Sequence, residues 1–327
     1  MQVVSIEERD GGFGLVPSEA PLPIPGKEEV RVRVMAAGIN RADILQTQGL
    51  YGMPRPYAGK MIPGLEFSGI VEEAGQGAEG FLPGDAVMGI VTEGAYAQAL
   101  LTHHRLLLPI PLGLGFADAA AIAEAFLTAY DALRHRLHLQ AGDRLLVHAG
   151  ASGVGMAAIQ IGRLMGSRVW ATQRSDEKRK RLEEIFAVPV LPAQGFARAL
   201  HKEAGGADAV LDLVGGESFP ESLEALLPQG RLALVGLLGG FSASLNLGLV
   251  LQKRVSLVGT VLRPRPLEEK IALVQEFKEK MFPFFAERKL FPLVDRVFPL
   301  NDAALAHDFV RENRHFGKVV LEVQSGA

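Results

Sequence analysis

Cysteine is missing altogether from this chain of 327 residues. Its absence excludes a disulfide framework, cysteine-ligated zinc and thiolate catalysis together, and fits a reducing interior. Charge of one sign is missing too. The formal net charge is −3 with 22% charged residues, so no global field attracts a polyanion and nucleic acid is not expected as a partner. Low-complexity tracts are absent, and 48% hydrophobic residues describe a soluble globular protein. Long hydrophobic runs are scarce. "RLALVGLLGGFSASLNLGLVLQ" (231–252) approaches spanning length, but Gly-Gly, two serines and Asn246 break it, and strand-loop-helix is expected instead of a membrane span. "MQVVSIEERDGGFG" has neither a basic region nor an apolar core before its first acids; no signal peptide is expected, and the cytoplasm is the expected location.

What is present changes rhythm along the chain. "EEVRVRVMAAG" (28–38) and "LEFSGIVEEAG" (65–75) alternate apolar and polar residues between Gly and Pro punctuation, which predicts a compact, mostly antiparallel domain. From about residue 118 a long helical pattern begins. After it, apolar strands "RLLVHA" (144–149), "RVWAT" (168–172), "ADAVLDLV" (207–214), "RLALVG" (231–236) and "VSLVGTV" (255–261) alternate with helical stretches. That alternation predicts a doubly wound parallel sheet covered on both faces. The end returns to strands, "VDRVFPL" and "GKVVLEV". The fold class expected is α/β, a Rossmann-type sheet domain inserted in a β-rich domain: 1–120, then 121–262, then the return 263–327.

"VHAGASGVGMAAIQIG" (147–162) admits two readings. A hydrolase nucleophile elbow needs Gly-x-Ser-x-Gly, and the position two after Ser152 is Val154, so that pattern fails. No acid and His follow in the right context, since His201 and His307 fall in helical patterns read as solvated. The other reading places Gly150, Ser152, Gly153, Val154 and Gly155 between a strand and a helix, where small residues turn tightly and free N–H groups attract a pyrophosphate. The second strand then ends in "QRSDEKRKR". Arg174, Ser175 and Lys178 suit a 2′-phosphate, which favours NADPH as cofactor; a solvated basic helix start is the alternative.

With "AAGINRADILQTQGLY" (36–51), "IPGLEFSGIVEEAG" (62–75), "PGDAVMG" (83–89), "AAAIAEAFLTAYDAL" (119–133), "VLDLVGG" (210–216) and "HFGKVVLEV" (315–323), the chain resembles the medium-chain dehydrogenase/reductase superfamily. Within it the resemblance is to the zinc-independent quinone oxidoreductase, or zeta-crystallin-like, branch. The resemblance implies a GroES-like catalytic domain interrupted by the nucleotide domain, with the active site in the cleft between them. Gly-His-Glu of the zinc enzymes is here Gly64-Leu65-Glu66, so a metal ligand is lost and no metal is expected. The remaining His pairs offer no substitute: His103 and His104 are read as pointing opposite ways on a strand, and His135 and His138 as sharing a helix face with no third ligand.

The resemblance also implies roles. Asn40 would face nicotinamide and substrate, Thr128 would contact the nicotinamide end, and Ser152 to Val154 would hold the pyrophosphate. Gly236, Leu237, Val261 and Leu262 would line the nicotinamide pocket, and Lys318 would approach the cofactor. A tyrosine that relatives place after the third strand has no counterpart in "VPVLPAQ" (188–194). Tyr51, one of four tyrosines, lies where the substrate would bind and is either a donor to the acceptor oxygen or a loop anchor. Asn40 is either catalytic or a turn former, and Asp43 a structural partner of Arg41 or the backbone. The expectation is an NADPH-dependent reductase of a quinone or related conjugated carbonyl, a homodimer joined through "VSLVGTVL". The alternatives are an NADPH-binding structural or regulatory protein with little turnover, or an enone or enoyl-thioester reductase.

Overall fold

The computed structural model describes residues 1–9 and 12–324; the last three positions of the expected return segment lie outside them. The chain divides into two compact units, Met1–Leu127 with the segment from Arg263 onward, and Thr128–Leu262. Residues 121–127, placed with the nucleotide domain on sequence, belong to the first unit. Phe126 packs there on Phe285 with ring centroids 5.1 Å apart, and the Glu124 N–H donates to Glu66 Oε2 at 2.8 Å.

In the first unit, β1 (Gln2–Arg9) and β2 (Gly12–Glu19) form an antiparallel pair, followed by β3 (Glu29–Gly38), β4 (Glu66–Ala74), β5 (Ala86–Ile90), β6 (Ala99–His103) and β7 (Leu107–Pro109). β3 is the organising strand. Its valines 30, 32 and 34 are buried while Arg31 alternates outward to Glu73 at 2.7 Å, the period-two pattern of a half-buried strand. One edge of β3 pairs with β4; the other is shared, residues 29–33 with β6 and 36–38 with a strand from the return segment.

The second unit contains β8 (Arg144–Val147), β9 (Arg168–Gln173), β10 (Val190–Pro192), β11 (Ala207–Asp212), β12 (Leu226–Leu234) and β13 (Ser256–Gly259). The sheet order is β10-β9-β8-β11-β12-β13, every neighbouring pair parallel. This is the doubly wound order, whose crevice lies beyond the carboxyl ends of the strands. It has six strands where sequence identified five, because β10 is only three residues long. The long helical pattern from 118 is also broken: helices Phe116–Ala119 and Ala123–Tyr130 are followed by a π-helical stretch, Asp131–Arg136. His138 leaves it with φ 46°, so His135 and His138 do not share a helix face.

The chain then closes the first unit with β14 (Val294–Pro299) and β15 (Lys318–Glu322), parallel to each other, with β15 antiparallel to β3. Among the described residues no helix is long and apolar enough to cross a membrane; the 231–252 stretch is the end of β12, a turn and the helix Leu247–Lys253.

The β3–β4 contact predicts a stability effect. A Cβ at Gly69 would meet the Arg33 carbonyl oxygen at 2.1 Å, whereas one at Gly115 would meet nothing within 4 Å. Gly69→Ala is expected to lower unfolding stability in urea by about 1–3 kcal/mol or more, and Gly115→Ala by under about 0.5 kcal/mol.

Candidate active site

In the second unit, the turn after β8 is built for close approach. A Cβ at Gly155 would lie 2.5 Å from the Ala149 carbonyl oxygen, and one at Gly150 would lie 2.9 Å from Ala171 Cβ; both positions need glycine for the loop to sit between helix and sheet. Ser152 is the N-cap of the helix Gly153–Leu164: its Oγ accepts from the Gly155 N–H at 3.1 Å and donates to the Ala149 carbonyl at 2.8 Å. The hydroxyl is therefore committed within the loop. The N–H groups of Gly153 and Val154 have no acceptor among the described residues, and with the positive helix end they form an anion cradle.

The other residues assigned to the cofactor cluster around the same edge of the sheet. Arg174 and Ser175 follow β9, and Gly236 and Leu237 follow β12; Val261 and Leu262 come shortly after β13. Arg174 is exposed and its guanidinium has no partner among the described residues, while Ser175 caps the next helix by accepting from the Lys178 N–H at 3.3 Å. Asp176, the nearest acid, is held by Arg179 at 2.6 Å. Leu262 is buried, Leu237 and Val261 are partly exposed, and Thr128 is half-buried on the helix Ala123–Tyr130. The glycine cradle and the open first-turn amides fit the pyrophosphate of a nicotinamide dinucleotide.

In the first unit, the ends of β3, β4 and β15 bring Asn40, Glu66 and Lys318 together. Lys318 Nζ donates to Glu66 Oε1 at 2.6 Å, Asn40 Oδ1 at 2.8 Å and the Ile39 carbonyl at 2.7 Å. Its three hydrogens are fully committed, so the ammonium positions Asn40 and Glu66 and has no hydrogen left for a cofactor. Asn40 Nδ2 donates to Glu66 Oε1 at 3.0 Å, so both ends of its amide are fixed. Glu66 is 0% exposed, and a carboxylate so buried requires this density of donors.

Around this core stand groups that sequence reading missed or placed differently. Glu124, on the first turn of its helix, has no hydrogen bond to its carboxyl among the described residues; burial and then the Glu66 charge push its pKa up to about 8. Its signal in the sequence was a lone acid in the apolar run 119–130. Asp43 takes the Asn40 N–H at 2.8 Å and the Tyr96 hydroxyl at 3.2 Å, so it partners the backbone, whereas Arg41 bonds Asn313. Burial raises the Asp43 carboxyl to about 7. His307, expected on a solvated face, is 3% exposed; its Nε2 lies 2.9 Å from the Tyr96 hydroxyl and burial pushes its pKa down to about 3. Tyr51 stacks under Arg263, 5.3 Å from guanidinium to ring centroid. Arg263 also donates to the carbonyls of Gly52 and Met53, pinning the loop. The Tyr51 hydroxyl has no partner among the described residues, and burial raises its pKa.

His103 and His104 do not point apart. His104 opens a short 3-10 turn, and the two rings stack 4.8 Å apart at 25°. With Glu28 they bring three ligand atoms within 4.8 Å, but Nδ1 of His103 accepts from the Arg105 N–H at 3.2 Å, which puts the ring proton on Nε2.

Residues 26–129 match the alcohol dehydrogenase GroES-like domain, and residues 153–283 the zinc-binding dehydrogenase family. A quinone oxidoreductase-like protein 2 from Bos taurus is 33% identical over 93% of this chain and 87% of its own. The chain belongs to the quinone oxidoreductase branch of the medium-chain dehydrogenase/reductase superfamily. It is an oxidoreductase of that family. Its fold matches the crystal structure of an NAD-dependent alcohol dehydrogenase with a TM-score of 0.88 at 32% identity, over 99% of this chain and all of the other. It also matches the CurK enoyl reductase with a TM-score of 0.84 at 26% identity, over 99% of this chain and 100% of that one.

The zinc implied by one family name does not fit these residues. Leu65 is apolar and 2% exposed, no thiolate exists in the chain, and Glu66 is already neutralised by an ammonium that would repel a dication. Removing that ammonium has a predictable cost. Lys318→Met leaves Glu66 buried without its cation and is expected to lower stability by about 3–5 kcal/mol. Thermal melts of both proteins test it.

Proposed function

We propose that this protein is an NADPH-dependent reductase that transfers a hydride to a quinone or related conjugated carbonyl, without a metal. The observation that carries the cofactor choice is the end of β9. An NAD site places a carboxylate there for the ribose hydroxyls; this chain offers Gln173, the unpartnered Arg174 and Ser175, with its nearest acid tied to Arg179. A guanidinium there suits a 2′-phosphate, with Lys178 one turn into the helix. The bound nicotinamide would supply the hydride, and the chain supplies alignment and hydrogen-bond donors. Gly150, Gly153, Val154 and Gly155 would seat the pyrophosphate, and Thr128, Gly236, Leu237, Val261 and Leu262 the nicotinamide end.

On the first unit, Tyr51 is the donor to the acceptor oxygen: its hydroxyl is unpartnered and burial keeps it protonated, so it meets developing negative charge with a hydrogen bond. Asn40 acts by holding Glu66 and Lys318 in register. The likeness to an enoyl reductase favours a second acceptor class, an enoyl thioester, with the same donors. Among the described residues β13 has a partner strand on one side only, and Leu257 on it is 39% exposed while Leu251 on the neighbouring helix is 78% exposed. An open apolar edge of this kind is covered in a stable protein, which supports a homodimer joined edge to edge.

Arg174→Ala is expected to raise KM for NADPH by about 10- to 100-fold and to leave KM for NADH nearly unchanged; equal effects on both cofactors would sink the 2′-phosphate role. Tyr51→Phe is expected to cut kcat for a para-quinone by about 100-fold with NADPH affinity intact, and an unchanged kcat would make Tyr51 a loop anchor only. Leu257→Lys is expected to halve the mass seen in sedimentation equilibrium.

A further inference from the structure

Three carboxyls share the buried centre of the first unit, and their hydrogen-bond inventories differ sharply. Glu66 accepts from Lys318 Nζ, Asn40 Nδ2 and the Glu124 N–H. Asp43 accepts on one oxygen from the Asn40 N–H and Tyr96, and its other oxygen is buried without a partner. The Glu124 carboxyl accepts from no donor among the described residues. The one ammonium in direct contact with the group is committed to Glu66, so ionising Glu124 would add a second negative charge with no donor to stabilise it.

The charges that act on Glu124 come from every side: Glu66 on β4 and Asp43 on the helix Arg41–Thr47 oppose its ionisation, and Lys318 on β15 and Lys270 on the helix Leu267–Lys280 favour it. Lys270 is itself turned to Thr92 Oγ1 at 3.0 Å. Burial is the largest part of the opposition, and the Glu124 pKa is pushed up to about 8. The group is also fixed in place. Its backbone N–H is clamped to Glu66, which is clamped to Asn40, and its charge is felt by Tyr51. Unlike Asp43, which is 0% exposed, Glu124 is half-buried.

We infer that Glu124 is the proton source that completes reduction of the acceptor, an assignment that rests on the reductase reading above. A bound nicotinamide would supply the acceptor with one hydrogen and two electrons, being oxidised in turn, and this would leave one negative charge on the acceptor oxygen held by Tyr51. The Glu124 O–H bond then breaks. Its proton forms the new O–H bond on the acceptor, its electron pair stays on the carboxylate, and water returns a proton once product departs. A donor whose pKa lies near the working pH is the efficient one for this step.

The test uses the full chain and Glu124→Gln, which keeps the shape and loses the acidic proton. In cofactor-free protein, the infrared band of the protonated carboxyl, taken as wild type minus E124Q, is expected to vanish near pH 8. With NADPH and a para-quinone, wild-type kcat should hold below that pH and fall about tenfold per unit above it, while E124Q is slower by about 100-fold or more and flat with pH. NADPH affinity should be the same in both. A band that disappears in the ordinary carboxyl range, or an E124Q rate and pH profile equal to wild type, overturns the assignment. Should E124Q not fold, Glu124→Asp replaces it: reduced kcat with the alkaline limb retained supports the assignment, and a wild-type kcat that is flat with pH overturns it. Absence of quinone turnover in the wild type defeats the reductase reading and this inference with it, whereas turnover indifferent to E124Q defeats this inference alone.

Discussion

The first unit depends on one ion pair, Lys318 with Glu66, 2.6 Å apart with side chains 6% and 0% exposed. Lys318 arrives on the last strand of the return segment, and Glu66 begins β4. The pair therefore joins the two halves of a unit that the chain visits twice. An isolated pair of this kind is not a strong source of stability, because desolvation offsets most of the attraction. Its value is specificity: the other donors and acceptors are matched by Asn40, by the Ile39 carbonyl and by the Glu124 backbone, so the pair defines one arrangement of four chain segments. It also replaces a metal with an ammonium as the local positive charge. An ammonium holds a carboxylate but does not polarise a bound carbonyl the way an open metal coordination site does; on the proposed reading that work would fall to neutral donors.

The second unit solves a different problem with backbone. Its glycines at 150 and 155 let helix and sheet approach until only hydrogen fits, and Ser152 secures the first turn with its own hydroxyl. What stays open is main-chain N–H at a positive helix end. At the edge of the same sheet, just after β9, stands the exposed Arg174.

Much of this was legible in sequence because period and punctuation carry it. The alternation of 28–38 and the apolar strands after 144 led directly to β3 and to the parallel sheet, and Gly150 to Gly155 to the cradle. Other features were hidden for physical reasons. Strand β10 is too short to display a period. The π-helical stretch 131–136 has the same residue pattern as an α-helix, so His135 and His138 looked paired. His307 looked solvated because its polar partner, Tyr96, lies far away in the chain. Lys318 looked like a cofactor ligand because sequence identifies a cation but not how many of its hydrogens are already committed. Glu124 was passed over because a single acid in an amphipathic pattern ordinarily faces water; only the tertiary fold turns it toward Glu66.

The central claim is that an ammonium, and not a metal, supplies the positive charge at this site. The most direct measurement is quinone turnover by protein dialysed against a strong chelator, with metal content checked by elemental analysis. The account predicts a rate equal to that of untreated protein. Loss of activity on chelation, restored by adding zinc, would contradict it.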